Sequence, residues 1–153
     1  MLPVMLDVAT MKILVVGAGT IATRKIQKLV VAGNIPTVIA PVASEYVQKA
    51  AAAEKIIWHK RAYQIGDTAD FQMIFICTND RYVNKEILAA TTPLQLVNDT
   101  TNKANSNFFN LASFTYQDFE IALSSQGKSP KQTKTLKEQL VRLLNQNEDS
   151  SLK

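Results

Sequence analysis

Short, wholly apolar runs alternate along this chain with segments whose apolar residues recur every three or four positions. Met11 to Val16 (MKILVV) is a continuous, β-branched run that ends directly on glycine. Such a run predicts a strand buried on both faces of a parallel sheet. Thr20 to Ala32 has helical spacing, with Ile21, Ala22, Ile26, Leu29 and Val30 on one face. Gly33 stands where a helix commonly ends on a left-handed residue. Thr37 to Ala40 (TVIA) predicts the next strand, stopped by Pro41. An alanine-rich helix over Glu45 to Glu54, a short strand at Ile56-Ile57-Trp58 and a buried strand over Met73 to Cys77 (MIFIC) continue the alternation. A helix near Tyr82 to Thr91 and a strand over Leu94 to Val97 follow. Strands that alternate with helices in this way imply an α/β fold, a parallel sheet with helices on both faces.

The pattern then changes. Asn102 to Asn110 reads as an asparagine-rich loop, and Phe114 to Ser124 contains one strand with Phe119, Ile121 and Leu123 on a common face. Ser129-Pro130 opens a final amphipathic helix carrying Leu136, Leu140, Val141, Leu143 and Leu144. Proline suits the first helical turn, where its missing N–H costs nothing. The polar tail from Asn145 is expected to fray. A lone strand and helix cannot bury their apolar faces alone, so a second subunit is expected to cover them. There is no internal repeat.

Composition narrows the class. The 153 residues are 46% hydrophobic and 20% charged, as in a globular domain with a core. The single cysteine, Cys77, forms no intramolecular disulfide, and no CxxC or His/Cys cluster accompanies it, which argues for a reducing compartment and against a structural zinc. No metal site is expected. No apolar run reaches the roughly 18 to 20 residues of a membrane span, and Met1 to Met11 lacks the charged start and cleavage site of a secretory signal. The expectation is a cytoplasmic protein with no membrane contact. The net charge of +4 fits either nucleic acid or an anionic small molecule. The basic residues are scattered without aromatic interleaving or a nucleic-acid motif, so no nucleic-acid partner is expected.

Gly17-Ala18-Gly19-Thr20-Ile21-Ala22 is a GxGxxA motif at a strand-to-helix junction. The first glycine permits the tight turn, the second lets backbone approach a pyrophosphate, and Ala22 allows close packing of helix on sheet. Phosphates would sit on the N–H groups that open the helix. In this setting the sheet is expected to be Rossmann-like, and a turn without ligand is the alternative. The second strand ends Ile39-Ala40-Pro41, without the acidic residue that holds a ribose 2′-OH, so that position does not separate NAD from NADP. Asp99 follows a buried strand, where the carboxyl ends of parallel strands open onto a ligand crevice; a helix cap or loop turn is the alternative for it. His59 and Cys77 read as structural rather than catalytic.

Extended by three residues, the motif reads GAGTIATRK, and here the chain resembles the precorrin-2 dehydrogenase module of bifunctional sirohaem synthases and stand-alone bacterial dehydrogenases. That family's loop reads GGGxVAxRK, matching Gly17, Gly19, Ala22, Arg24 and Lys25. TVIAP (Thr37 to Pro41) matches the end of the second strand, and CTNDRYVN (Cys77 to Asn84) resembles ATDDxxVN. LVNDTTN (Leu96 to Asn102) places Asp99 on the family's functional aspartate, and IALSSQGKSP (Ile121 to Pro130) is similar to IAISTxGKSP. The resemblance spans almost the whole chain. Departures are Thr100-Thr101 in place of a small residue and proline, Leu111 in place of a common proline, and an end soon after the last helix.

The resemblance implies NAD-dependent oxidation of precorrin-2 to sirohydrochlorin, with NAD as cofactor, an anionic tetrapyrrole as substrate and a homodimer as the assembly. It implies an NAD-binding Rossmann domain over residues 1–112 and a dimerisation strand and helix over residues 113–153, truncated relative to the family. Asp99 becomes the candidate catalytic base. Gly17, Gly19, Thr20, Ile21, Ala22, Pro41, Val42, Thr78 and Asn79 become the candidate cofactor contacts. Arg24, Lys25, Ser124, Ser125 and Lys128 become the candidate substrate contacts, with solvated surface charge as the alternative for the cations. Other readings are a bifunctional dehydrogenase and sirohydrochlorin ferrochelatase, a non-catalytic nucleotide-sensing Rossmann domain, and a tetrapyrrole carrier.

Overall fold

The computed structural model describes the backbone of residues 1–151 and the side chains of residues 1–146. Five strands, β1 (Ile13–Val16), β2 (Thr37–Ile39), β3 (Ile57–His59), β4 (Met73–Ile76) and β5 (Leu96–Asp99), form one sheet in the order β3-β2-β1-β4-β5. Every pairing is parallel. The chain therefore lays down β1, moves to one side for β2 and β3, then returns across β1 to place β4 and β5 on the other. That reversal between β1 and β4 is the topological switch point of a Rossmann-like sheet.

The two faces of the sheet each have a helical cover. α1 (Thr20–Val31) and α2 (Glu45–Ala52) send Ala22, Ile26, Leu29, Val47 and Ala50 onto Ile13, Val15, Val38, Met73 and Phe75. On the opposite face Ile87 of α3 (Arg81–Ala90) joins Leu14, Val16, Ile39, Ile74, Ile76 and Val97. Alternate residues of β1 and β4 thus enter different cores, which is why both strands are apolar at every position. Gly33 ends α1 at φ +80, as its position implied. Ile21 departs from the predicted apolar face: it is half exposed on the first turn of α1.

Two compact units are present. One is Val4–Phe109, holding the parallel sheet, and the other joins Met1–Pro3 with the chain from Asn110 onward. The second unit contains an antiparallel pair, β6 (Ala112–Tyr116) and β7 (Phe119–Leu123), followed by α4 (Pro130–Ser151). A single strand was expected there. The chain instead reverses at Gln117-Asp118, with Gln117 in the left-handed region at φ +50. α4 also continues past Asn145, where fraying was expected, to Ser151. The strand predicted over Leu94 to Val97 starts two residues late because Leu94 is fully exposed and Gln95 makes a turn. The Gln95 amide donates to the carbonyls of Thr68 and Phe71, and its oxygen accepts from Thr92 N–H.

Candidate functional site

β1 delivers the glycine motif to the middle of the sheet. Gly17 N–H donates to the Ile39 carbonyl of β2, and Cys77 N–H donates to the Val16 carbonyl from the end of β4. Gly17 sits at φ +106, and a Cβ there would lie 2.5 Å from the Cys77 carbonyl oxygen. Only glycine fits, because both the backbone conformation and the neighbouring strand exclude a side chain. At Gly19 the reverse holds, since nothing lies within 4 Å of where a Cβ would stand.

That open space lies at the head of α1, which differs from the other helices of this unit. Ser44 accepts from Val47 N–H at the head of α2, and Asp80 accepts from Tyr82 and Val83 N–H at the head of α3. α1 has Gly19 as its N-cap, no side-chain cap and no acidic residue in its first turn. Its leading N–H groups are therefore left for an anion, which the helix dipole also favours. The residues present fit a dinucleotide pyrophosphate: space beside Gly19, uncapped donors behind it, and Ala22 fully buried so that α1 lies close to the sheet.

The loop after β2 flanks this turn. Ser44 N–H donates to the Ala18 carbonyl, and the Ser44 and Thr23 hydroxyls share a hydrogen bond of 2.8 Å. Pro41 and Val42 are exposed between these anchors, and the Trp58 indole N–H donates to the Ala40 carbonyl at 3.0 Å. On the other side, the Thr78 hydroxyl accepts from Asp80 N–H, and Asn79 is exposed.

Asp99 lies at the carboxyl end of β5, paired through Ile76 of β4 to Val16 of β1. It is 4% exposed and richly supplied with donors. Oδ1 accepts from Thr101 N–H at 2.8 Å, the Thr101 hydroxyl at 2.7 Å and Asn102 N–H at 3.2 Å. Oδ2 accepts from the Asn105 amide at 2.8 Å. A short 3-10 turn over Lys103–Asn105 brings Asn105 back to this position. Burial alone would push the carboxyl up, but the donors of Asn105, Thr101 and Asn102 together outweigh it and hold Asp99 below its ordinary value. It is thus an ionised carboxylate with three donors on one oxygen and one on the other.

Cys77 and Lys25 lie on the elements beside it. Burial pushes the Cys77 thiol up to about 11, only partly opposed by a bond to Thr100 and by Lys25. Burial likewise pulls Lys25 below the ordinary lysine value, and its ammonium rests 5.4 Å from the Phe75 ring centroid.

A family profile described as "Putative NAD(P)-binding" matches residues 4–112. Precorrin-2 dehydrogenase of Priestia megaterium is 34% identical, covering 92% of this chain and 69% of that protein. Precorrin-2 dehydrogenase of Bacillus subtilis (strain 168) is 28% identical over 94% of this chain and 89% of that one. The solved structure of SirC, a precorrin-2 dehydrogenase, superposes with a TM-score of 0.84 at 34% identity, over 92% of this chain and 69% of SirC. The chain belongs to the precorrin-2 dehydrogenase family.

Within that family frame, the structure brings Gly17, Gly19, Thr20, Ile21, Ala22, Pro41, Val42, Thr78, Asn79 and Asp99 to the carboxyl ends of adjacent strands. It does not gather Arg24 and Lys25: Arg24 is exposed, whereas Lys25 is half buried against Phe75, as expected for consecutive helical positions. Ser124, Ser125 and Lys128 belong to the second unit. Ser124 accepts from Gln126 N–H, and Ser125 accepts from Ser129 N–H and bonds the Thr133 hydroxyl at 2.9 Å. Lys128 is exposed, and Leu123, Ser124, Ser125, Gln132, Thr133 and Leu136 line a groove of about 260 Å³. The sequence reading missed Thr101, Asn102 and Asn105 as partners of Asp99, because polar residues after a strand look like ordinary loop composition. Among the described residues no three His, Cys, Asp or Glu side chains converge as a metal site, and no helix is long and apolar enough to cross a membrane.

Proposed function

We propose that this chain oxidises precorrin-2 to sirohydrochlorin with NAD⁺, on the route to sirohaem and cobalamin. The observation that carries this reading is the convergence, at one sheet's carboxyl ends, of an uncapped glycine-turn helix and a buried ionised carboxylate. NAD⁺, when bound, supplies the acceptor for the hydride that leaves the macrocycle. The chain's own residues hold it: N–H groups of Thr20, Ile21 and Ala22 on the phosphates, Pro41 and Val42 on the adenosine side, Thr78 and Asn79 on the nicotinamide side. Asp99 takes up the proton that accompanies oxidation. Its Oδ2 is the oxygen with acceptor capacity to spare, since Oδ1 already receives three donors.

Arg24, Lys25, Lys128, Ser124 and Ser125 are assigned to the carboxylates of the tetrapyrrole, Arg24 by bidentate pairing and the lysines as point charges. The half-buried Lys25, whose burial pulls it below the ordinary lysine value, has the weaker claim of the three cations. The assembly is a homodimer in the cytoplasm. What supports the dimer is the second unit, in which none of residues 110–146 is buried although Leu136, Leu143 and Phe119 are 47%, 57% and 65% exposed. Domain limits of 1–112 and 113–153 belong to the same proposal, and the compact units support a division a few residues earlier, between Phe109 and Asn110.

Anaerobic incubation of the purified protein with precorrin-2 and NAD⁺ tests the reading, with Asp99→Ala alongside. NADH and the sirohydrochlorin spectrum are expected to rise together in the wild type and to slow sharply in the variant. NAD⁺ binding without either product would leave only a nucleotide-binding or carrier role.

A further inference from the structure

Asn84 is a polar residue buried on the first turns of α3, 4% exposed, and it serves neither core of the sheet. It is not needed to cap α3, because Asp80 already accepts from the two leading N–H groups. Its side chain reaches two loops instead. The amide N–H₂ donates to the Thr78 carbonyl at 3.2 Å and to the Thr101 hydroxyl at 3.3 Å. Its oxygen accepts from the Thr78 hydroxyl at 3.0 Å.

Hydrogen-bond inventory fixes the direction of this chain of contacts. The Thr78 carbonyl can only accept, so the amide nitrogen must face it. The same nitrogen then donates to the Thr101 oxygen, which leaves Thr101 its single proton for Asp99 Oδ1, an acceptor. The Thr78 proton can also reach the Asp80 carbonyl at 3.3 Å, but the Asn84 oxygen is nearer at 3.0 Å, and through it the series runs one way: Thr78 to Asn84 to Thr101 to Asp99. We propose that Asn84 is a positioning residue that sets the orientation of Asp99 through Thr101 and joins it to the Thr78 loop. This rests on the assignment of Asp99 and of the cofactor loop made above. It adds a coupling: the loop on the nicotinamide side and the proton acceptor are held by one buried amide, so occupancy of the first is felt at the second.

Titratable or charged groups on the elements around Asp99 are Cys77 after β4, Asp80 at the head of α3 with Arg81, Tyr82, Lys85 and Glu86 along it, Arg24, Lys25 and Lys28 on α1, and Lys103 in the 3-10 turn. Cys77 is neutral at ordinary pH, and Asp80 is engaged with helix N–H groups. None of them stands in the series, so a change in Asn84 should reach Asp99 only through Thr101.

The test is a carboxyl-carbon NMR titration of the full chain labelled at aspartate, with Asp99 assigned by Asp99→Asn. Asn84→Ala is expected to raise the Asp99 midpoint, Thr101→Val to raise it further, and the double variant to match Thr101→Val alone. Saturating NAD⁺ should shift the Asp99 resonance in the wild type and not in Asn84→Ala. The kcat with precorrin-2 should fall roughly tenfold in Asn84→Ala, less than loss of an acid–base group itself costs, with KM little changed. If Asn84→Ala does not fold, Asn84→Ser is read in its place, since its short hydroxyl cannot span both loops. An unchanged Asp99 midpoint in a folded Asn84 variant, or additive effects in the double variant, would overturn the proposal. Failure of the wild type to bind NAD⁺ would instead defeat the dehydrogenase reading and leave the titration result standing.

Discussion

The two units of this chain solve the burial problem differently. In Val4–Phe109 each sheet face carries its own helical cover, and strand residues such as Leu14, Val15, Val38 and Ile74 are completely inaccessible. In the hairpin and α4 no residue up to Gln146 is buried. Contacts exist there: Lys137 donates to the Ser113 carbonyl and its ammonium lies 5.8 Å from the Phe114 ring, and the Tyr116 hydroxyl donates to the Leu144 carbonyl. They order the unit without drying it. The first unit has a closed core and carries the glycine turn and Asp99, whereas the described leucines of the second stay partly or largely exposed. On the reading proposed above, the chemistry falls to the first unit and association to the second.

The largest effect should come from Gly17→Val. The added side chain meets the Cys77 carbonyl at a φ that valine avoids, so a loss of about 3 kcal/mol or more is expected. Thermal unfolding of the variant measures it, and a melting temperature equal to wild type would refute the close approach. Asp99→Asn comes next. It keeps the shape of the β5 end and should lower kcat by roughly a hundredfold or more while NAD⁺ affinity, read by calorimetry, is retained. Equal losses of binding and turnover would reassign Asp99 from chemistry to structure.

A third substitution attacks the other side of the comparison. Leu136→Glu with Leu143→Glu should shift the protein to monomer in analytical ultracentrifugation, while NAD⁺ binding by the first unit persists. A dimer that survives both charges would show that another surface holds it together. The smallest effect concerns pH. Asn105 favours the charged form of Asp99, so Asn105→Ala should raise the pH at which activity falls on the acid side. Because the folded pKa of Asp99 is lowered, its stabilising contribution is full above the ordinary carboxylate value and is lost as pH falls through the folded one. Asn105→Ala should therefore also reduce that contribution, read as a smaller drop in melting temperature on acidification.

Much of the first unit was legible because its signals are local. A β-branched run ending on glycine, then a helix with small residues at its start, leaves few alternatives to a parallel strand feeding an open turn. The place of Asp99 at a strand's carboxyl end was legible by the same logic. The hairpin escaped because its reversal uses Gln117, which has neither the glycine nor the asparagine that marks a left-handed turn. Leu94 was read into β5 because it is apolar, yet it is exposed and the buried neighbour is the polar Gln95. Arg24 and Lys25 were both read as substrate cations, and what the sequence did not show is that the helix leaves Arg24 exposed and turns Lys25 half-buried onto Phe75. The relay from Thr78 to Asp99 was hidden for a further reason: Asn84 and Thr101 are 17 positions apart and become partners only once the α3 and β5 ends meet.

One indole ties the chemistry to an optical signal. Trp58, the single tryptophan, donates from β3 to the Ala40 carbonyl, immediately before Pro41 and Val42, which are proposed above to lie on the adenosine side. Its emission is therefore a resident fluorophore reporting on that loop alone, with no second tryptophan to dilute it. On the proposed placement, titrating NAD⁺ against this emission is expected to follow occupancy of the adenosine half, without label and without the oxygen-sensitive tetrapyrrole.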